Sequence, residues 1–362
     1  MSLLRQARVG EGRLDLMRLR GRRPYQMRLR GRRPCVTPRR FALVARWALW
    51  ALVAIVITGA LVRLTGSGLG CSDWPNCEPG EFVPAADFHG WVEFGNRIVT
   101  GLVSVAVVLA VGASLWRDPR RADLMWWSLA LVVGVAFQIG LGAVTVLTHL
   151  SPPIVMSHFL ASQVLVAAAV VLQHRAGIEP RAGGNTSAAL GTPIRAHAWL
   201  AAALTAAALW TGTVVTGTGP HGGDEHVERL QFALPSVARI HGITVVILAV
   251  VTLVLGARVR RVAIAHRGSA FGTCASQLGR RVRTVIGVMA VQAAIGYVQY
   301  FTELPVLLVA LHVAGATLAT IAMTRLVLAT GIHSTQPAAT QTLSAQPPVD
   351  ESVGIASRGF AK

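Results

Sequence analysis

Gln138-Ile139-Gly140-Leu141-Gly142 runs on through Leu150 to His158, and at a constant offset Gln292-Ala293-Ala294-Ile295-Gly296 runs on through Leu304 to His312. The same echo appears further upstream, where Gly59-Ala60-Leu61-Val62 and Gly212-Thr213-Val214-Val215 each lead into a Gly-rich loop. Self-similarity over this length marks one unit written twice, each copy a four-helix pattern, over 41–172 and 198–328. A histidine occupies the same place in the last helix of both copies.

Composition fixes the environment of the repeat. Hydrophobic residues make up 53% of the 362 positions and charged ones 14%, with apolar runs longer than a soluble core uses. Segments 41–62, 90–115, 125–147, 153–173, 198–217, 237–256, 285–301 and 305–328 approach the roughly 20 apolar residues that cross a bilayer core of about 30 Å. The fold class is therefore all-α and polytopic, with eight transmembrane helices as two four-helix bundles. Four helices per copy is an even number, so both copies insert with the same orientation, related by a pseudo-two-fold axis along the membrane normal. That disfavours inverted-repeat transporter folds.

Arginine sets the orientation. The tail before residue 41 and the loops 116–123, 174–196 and 257–283 carry nearly all the positive charge near the helix ends, which places them and both termini in the cytoplasm. Loops 63–89 and 218–236 on the other side hold Asp73, Glu78, Glu81, Asp87, Asp224, Glu225 and Glu228 against Arg63 and Arg229. The net charge of +18 is thereby a topology signal with attraction to anionic membrane lipid, and no nucleic-acid partner is expected.

The expected organisation is a basic disordered extension over 1–40, an N-terminal bundle over 41–173, a cytoplasmic linker over 174–197, a C-terminal bundle over 198–328 and a disordered tail over 329–362. In the extension, Met17-Arg18-Leu19-Arg20-Gly21-Arg22-Arg23-Pro24 recurs unchanged as Met27 to Pro34. It is a poor transit peptide, since it includes Glu11 and Asp15 and lacks serine-rich amphipathic character, so a bacterial plasma membrane fits better than a mitochondrial one. Cys71 and Cys77 flank Asp73-Trp74-Pro75 on the outer loop, where an oxidising compartment permits a disulfide, structural or redox-active; unpaired thiols are the alternative. Cys35 and Cys274 lie on the cytoplasmic side.

Ionisable groups inside a bilayer are costly, so each is a functional candidate. His158, His241 and His312 lie at one depth in the fourth, sixth and eighth helices, and Asn96 holds the corresponding place in the second, one turn after Glu93 and beside Arg97. Paired imidazoles on facing helices of a bundle hold a heme, and His241 with His312 suit that role. The bland reading is a set of buried histidines bonded to backbone carbonyls. A proton relay is a further alternative, but it needs carboxylates in series and only Glu93 lies in an apolar helix.

Thr58-Gly59-Ala60-Leu61-Val62-Arg63-Leu64-Thr65-Gly66-Ser67-Gly68-Leu69-Gly70-Cys71, followed by Asp73-Trp74-Pro75 and Cys77, resembles the signature of the heme A synthase family, as does Glu93-Phe94-Gly95-Asn96-Arg97. The resemblance covers about 41–328. It implies a membrane oxidoreductase that converts the C8 methyl of heme O to the formyl of heme A for terminal oxidases. It further implies heme b held by His241 and His312 in the C-terminal bundle, His158 as a ligand to heme O iron in the N-terminal bundle, Glu93 as the catalytic carboxylate beside the heme O site, orienting water, relaying protons or stabilising a cationic intermediate, and Cys71 with Cys77 as the outer-loop pair. Arg63 and Arg97 would bond propionates or neighbouring carboxylates. The implied partners are a heme O synthase, terminal oxidase assembly factors and an electron donor that the sequence does not identify.

Asn96 departs from the family pattern, which more commonly has histidine there. An amide is a poor iron ligand, so His158 alone would hold heme O iron, with Asn96 over an open position; His89 as a substitute ligand, or Asn96 merely packing against Glu93, are the alternatives. A diheme cytochrome b-like electron carrier is the rival function, and a parallel-repeat transporter a third.

Overall fold

The computed structural model describes residues 35–178 and 191–331. The expected disorder of the first 34 residues and of most of the C-terminal tail lies outside these, as does the middle of the expected cytoplasmic linker. Eight helices follow in order: α1 (Pro38–Leu64), α2 (Phe88–Leu115), α3 (Ala122–Leu147), α4 (Pro152–Ala176), α5 (Thr192–Thr218), α6 (Leu234–Ala265), α7 (Ala270–Phe301) and α8 (Val306–Thr330). Each is long and apolar enough to cross a membrane. Proline opens α1, α4, α5 and α6, where its missing N–H would have had no helical partner.

Each half closes on itself: α1–α2, α2–α3, α3–α4 and α1–α4 touch in one, and α5–α6, α6–α7, α7–α8 and α5–α8 in the other. The halves meet through α4–α8, α1–α8 and α4–α5, a set of pairs unchanged when α1–α4 are exchanged for α5–α8. Two apolar cores result, one around Phe41, Leu49, Leu131 and Val166, the other around Ala201, Leu255, Leu278 and Leu326. Fully buried Ala45, Ala48, Ala198 and Ala201 let backbones approach closely, which is how helices associate when lipid competes for every apolar contact. A polar cross-link joins the halves inside the membrane: Gln163 of α4 donates to the Thr317 hydroxyl of α8 (3.2 Å) and accepts from Thr320 (2.8 Å), with all three side chains buried.

The repeat reaches down to backbone detail. His149-Leu150 after α3 and Glu303-Leu304 after α7 are consecutive non-glycine residues in the left-handed region, φ 48°, 59°, 60° and 61°. In each pair the leucine N–H reaches back five residues, Leu150 to the Thr145 carbonyl (2.9 Å) and Leu304 to that of Gln299 (2.7 Å), which satisfies orphan carbonyls at the helix end. Leu150 then packs between Gly68 and Gly223, where a Cβ would come within 2.8 and 2.9 Å of its methyl.

Two expected boundaries are corrected. The loop 257–283 is mostly helix, since α6 runs to Ala265 and α7 starts at Ala270. Arg258, Arg260, Arg261, Arg280, Arg281 and Arg283 end the apolar window without ending the helix, because arginine is a good helix former. At 32 residues each, these helices are about 48 Å long and overreach a bilayer core of about 30 Å. The expected extension over 1–40 likewise ends early. Val36 N–H bonds the Trp116 carbonyl (3.0 Å), Asp118 N–H bonds the Val36 carbonyl (3.2 Å), and Thr37 caps α1 by accepting from Arg40 N–H.

Candidate functional site: a cavity shared by four ligand positions

A cavity of about 1350 Å³ opens between the helices, and Asn96, His158, His241 and His312 all line it. Pockets for drug-sized molecules measure roughly 300–1,000 Å³, so this space suits something larger. All four positions stand within the first three turns of the even-numbered helices, at the end that carries the disulfide loop.

Each position faces a glycine on the helix before it. A Cβ on Gly142 of α3 would lie 3.6 Å from the His158 ring, on Gly212 of α5 3.2 Å from His241, on Gly296 of α7 3.3 Å from His312, and on Gly59 of α1 4.0 Å from Asn96 Nδ2. The missing side chains leave room for the rings to stand upright against the neighbouring backbone. Gly142 and Gly296 share the offset of His158 and His312, so the repeat alone carried the signal that would have found them.

The two C-terminal imidazoles face one another, their ring centroids 6.5 Å apart and their planes at 79°. Two imidazoles bonded through one nitrogen each to a shared metal at about 2 Å have centroids roughly 6–6.5 Å apart. His241 Nδ1 is 3.1 Å from the Thr211 hydroxyl, whose oxygen also lies 3.0 Å from the Ala207 carbonyl. With its proton on that carbonyl, Thr211 accepts from Nδ1–H and leaves the lone pair of Nε2 for a metal, the usual way an outer partner fixes a ligand tautomer. Among the described residues, the buried Nδ1 atoms of His312 and His158 have no hydrogen-bond partner. Buried ring nitrogens of this kind are not satisfied core histidines bonded to carbonyls. Among the described residues no three His, Cys, Asp or Glu side chains come together to hold a bare metal ion. Pairs and single histidines are the donor set for iron already held by a macrocycle, and the cavity, the glycine cradles and the 6.5 Å spacing fit heme.

In the N-terminal half Asn96 takes the place of the second ring. The Thr58 hydroxyl is 2.8 Å from Asn96 Oδ1, and Thr58-Gly59 faces Asn96 as Thr211-Gly212 faces His241. On α3, Gln138 donates to the His158 carbonyl (3.1 Å) and to Ser162 Oγ, tying the third helix to the fourth beside the ring. Thr58 and Thr211 were not legible as site residues, since a threonine in an apolar helix more often bonds back to its own backbone.

Glu93 and Arg97 act on the loop above. Glu93 is buried; its Oε2 accepts from Cys71 N–H (2.9 Å) and its Oε1 from Arg97 Nη2 (2.7 Å). Arg97 spends its other donors on the carbonyls of Asp73 (3.0 Å) and Asn76 (2.8 Å). Cys71 and Cys77 are joined in a disulfide and fully buried. Together these contacts hold loop 71–77 across the outer end of the cavity, whose wall includes Trp74, Pro75, Glu93 and Arg97. Arg63 lines the cavity and donates from Nε to the carbonyl of His221 (2.8 Å) and from Nη2 to that of Thr216 (3.0 Å) in the opposite half. His89 is exposed and bonded through Nδ1 to Ser67 Oγ (2.9 Å), away from the ligand layer.

A model of the COX15-CtaA family, described as cytochrome oxidase assembly protein, matches residues 42–89 and 82–220. Among curated proteins the chain is similar to the heme A synthase of Geobacillus kaustophilus, 34% identical over 106 residues, 29% of this chain and 32% of that protein. It is similar to the heme A synthase of Alkalihalophilus pseudofirmus, 36% identical over 125 residues, 33% and 41% of the two chains. It is also similar to that of Symbiobacterium thermophilum, 32% identical over 177 residues, 46% and 56% of the two chains. These alignments span between about a third and just over half the length of the curated relatives.

Proposed function

Over residues 42–220 the chain belongs to the COX15-CtaA family of cytochrome oxidase assembly proteins, and from that premise we propose that it is a heme A synthase, a membrane oxidoreductase that turns the C8 methyl of heme O into a formyl group. The observation that carries this reading is the ring of four ligand positions around one cavity, each upright against a glycine of the preceding helix. His241 and His312 hold heme b in the C-terminal half and His158 holds the iron of heme O in the N-terminal half. Bound heme supplies the one-electron and oxygen chemistry that an unactivated methyl requires.

The chain's own residues supply position and exclusion of water. Glu93 and Arg97 fasten loop 71–77 over the outer end of the cavity, so solvent is kept from the reacting edge while the apolar helix faces below accept the farnesyl tail at roughly 0.8 kcal/mol per buried CH₂. Glu93, charge-paired and aimed by Cys71 N–H, keeps lone pairs free on the cavity side to hold a water or take a proton. The Gln163 cross-link to Thr317 and Thr320 fixes the helices that carry His158 and His312 relative to one another.

The arginine-rich ends face the cytoplasm, both termini included, the disulfide loop faces the oxidising side of a bacterial plasma membrane, and the two bundles are related by a pseudo-two-fold axis along its normal. The domain roles follow: substrate bundle over 41–173, heme b bundle over 198–328. A heme O synthase supplies the substrate, terminal oxidase assembly factors receive the product, and an electron donor of unassigned identity reduces the heme b side. The paired rings of His241 and His312 alone would equally suit a diheme cytochrome b-like carrier. Co-expression of the full chain with a heme O synthase in a host that makes no heme A separates the two: extracted heme A identifies the enzyme, and heme B and heme O alone identify the carrier.

A further inference from the structure

Resting on the reading of the N-terminal half as the heme O site, we propose that the iron held by His158 keeps its second axial position free for a small exogenous ligand of the diatomic class, and that Asn96, aimed by Thr58, donates an amide hydrogen bond to that ligand.

Thr58-Gly59-Asn96 and Thr211-Gly212-His241 are the same arrangement with one group exchanged. An imidazole whose Nδ1 is committed to a threonine still offers the lone pair of Nε2. An amide whose Oδ1 accepts from Thr58 at 2.8 Å has its Nδ2 as the free end; that nitrogen gives hydrogen bonds and carries no lone pair for iron, and a neutral amide oxygen is a far poorer iron ligand than imidazole. Asparagine is also shorter: its nitrogen is two bonds from Cβ, whereas Nε2 of histidine is three. The exchange therefore replaces a ligand atom by a gap with a donor on its far wall, the geometry that holds a bound diatomic.

The nearby polar and sulfur side chains are engaged elsewhere. Glu93 is anchored to the loop by Arg97 and Cys71 N–H, and His89 is bonded to Ser67. Met156, two residues before His158, has its sulfur against Gly217 of α5, where a Cβ would lie 3.6 Å from it. In the C-terminal half both imidazoles are in place, so the iron there is saturated.

The test uses the purified full chain carrying its hemes, reduced and exposed to carbon monoxide, read by absorption and by the C–O stretch. Carbon monoxide binding at one of the two hemes is expected, with the other unreactive. Asn96→His should abolish that binding and turn the site six-coordinate and low-spin. Asn96→Leu should keep the binding but raise the C–O stretch, and Thr58→Val, which leaves the amide in place but unaimed, should give an intermediate, broadened stretch. A heme-loaded protein with both hemes unreactive to carbon monoxide overturns the proposal while leaving the heme A synthase reading intact. An unchanged stretch in both Asn96→Leu and Thr58→Val overturns the role of the amide. Protein without any heme overturns the heme reading and this proposal with it.

Discussion

The two halves share helix order, glycine cradles and left-handed turn pairs, and they differ in what covers and completes the ligand layer. In the C-terminal half two imidazoles face each other 6.5 Å apart beneath a loop that holds no disulfide. In the N-terminal half one imidazole and an amide line the cavity, and a partly buried ion pair and a disulfide close the end above them. The difference teaches that a duplicated scaffold keeps its backbone solutions while the two sites diverge through single side chains. On the reading proposed above, one half would hold iron between two imidazoles, suited to passing electrons. The other would leave a coordination position open, with its polar contacts closing the loop above it.

The comparison breaks most sharply at the histidines. His158→Ala should reduce heme A formation to background while the low-spin spectrum of the C-terminal heme persists; His312→Ala should do the reverse to the spectra, removing the low-spin component. Optical spectra beside product analysis check both. A smaller effect isolates the cover of the N-terminal half. Arg97→Met leaves Glu93 buried without its counter-charge, and should lower stability by roughly 3–5 kcal/mol, with part recovered in the Glu93→Gln/Arg97→Met double variant. Thermal unfolding in detergent reads both. Cys71→Ser opens a bridge of sequence separation 6 and should cost about 2 kcal/mol in the same assay, with little change in the C-terminal heme. The smallest effect sharpens the other half: Thr211→Val removes the outer partner of His241 and should weaken heme b retention about tenfold, measured by transfer to apomyoglobin.

Much of this was legible in the chain. The spacing of Gln138 to His158 and Gln292 to His312 announced the repeat, and hydropathy located all eight spans. It misjudged the ends of α6 and α7, because a hydropathy window stops at arginine whereas the backbone does not. The polar layer that lines the cavity was readable because polar groups in apolar helices stand out. The work of Glu93 was not: the resemblance implied that Arg97 bonds a propionate or a neighbouring carboxylate, but only folding brings Cys71 N–H and the carbonyls of loop 71–77 onto Glu93 and Arg97. Thr58 and Thr211 escaped for the same reason, since their role lies in facing another helix; the four glycines stood in the repeat, but only folding shows that they face the polar layer.

Electron paramagnetic resonance of the ferric full-length protein tests the difference between the halves most directly. The account predicts one low-spin heme from His241 and His312 and one high-spin heme from His158, the high-spin signal vanishing in His158→Ala and becoming low-spin in Asn96→His. Two low-spin hemes in the unaltered protein would contradict it.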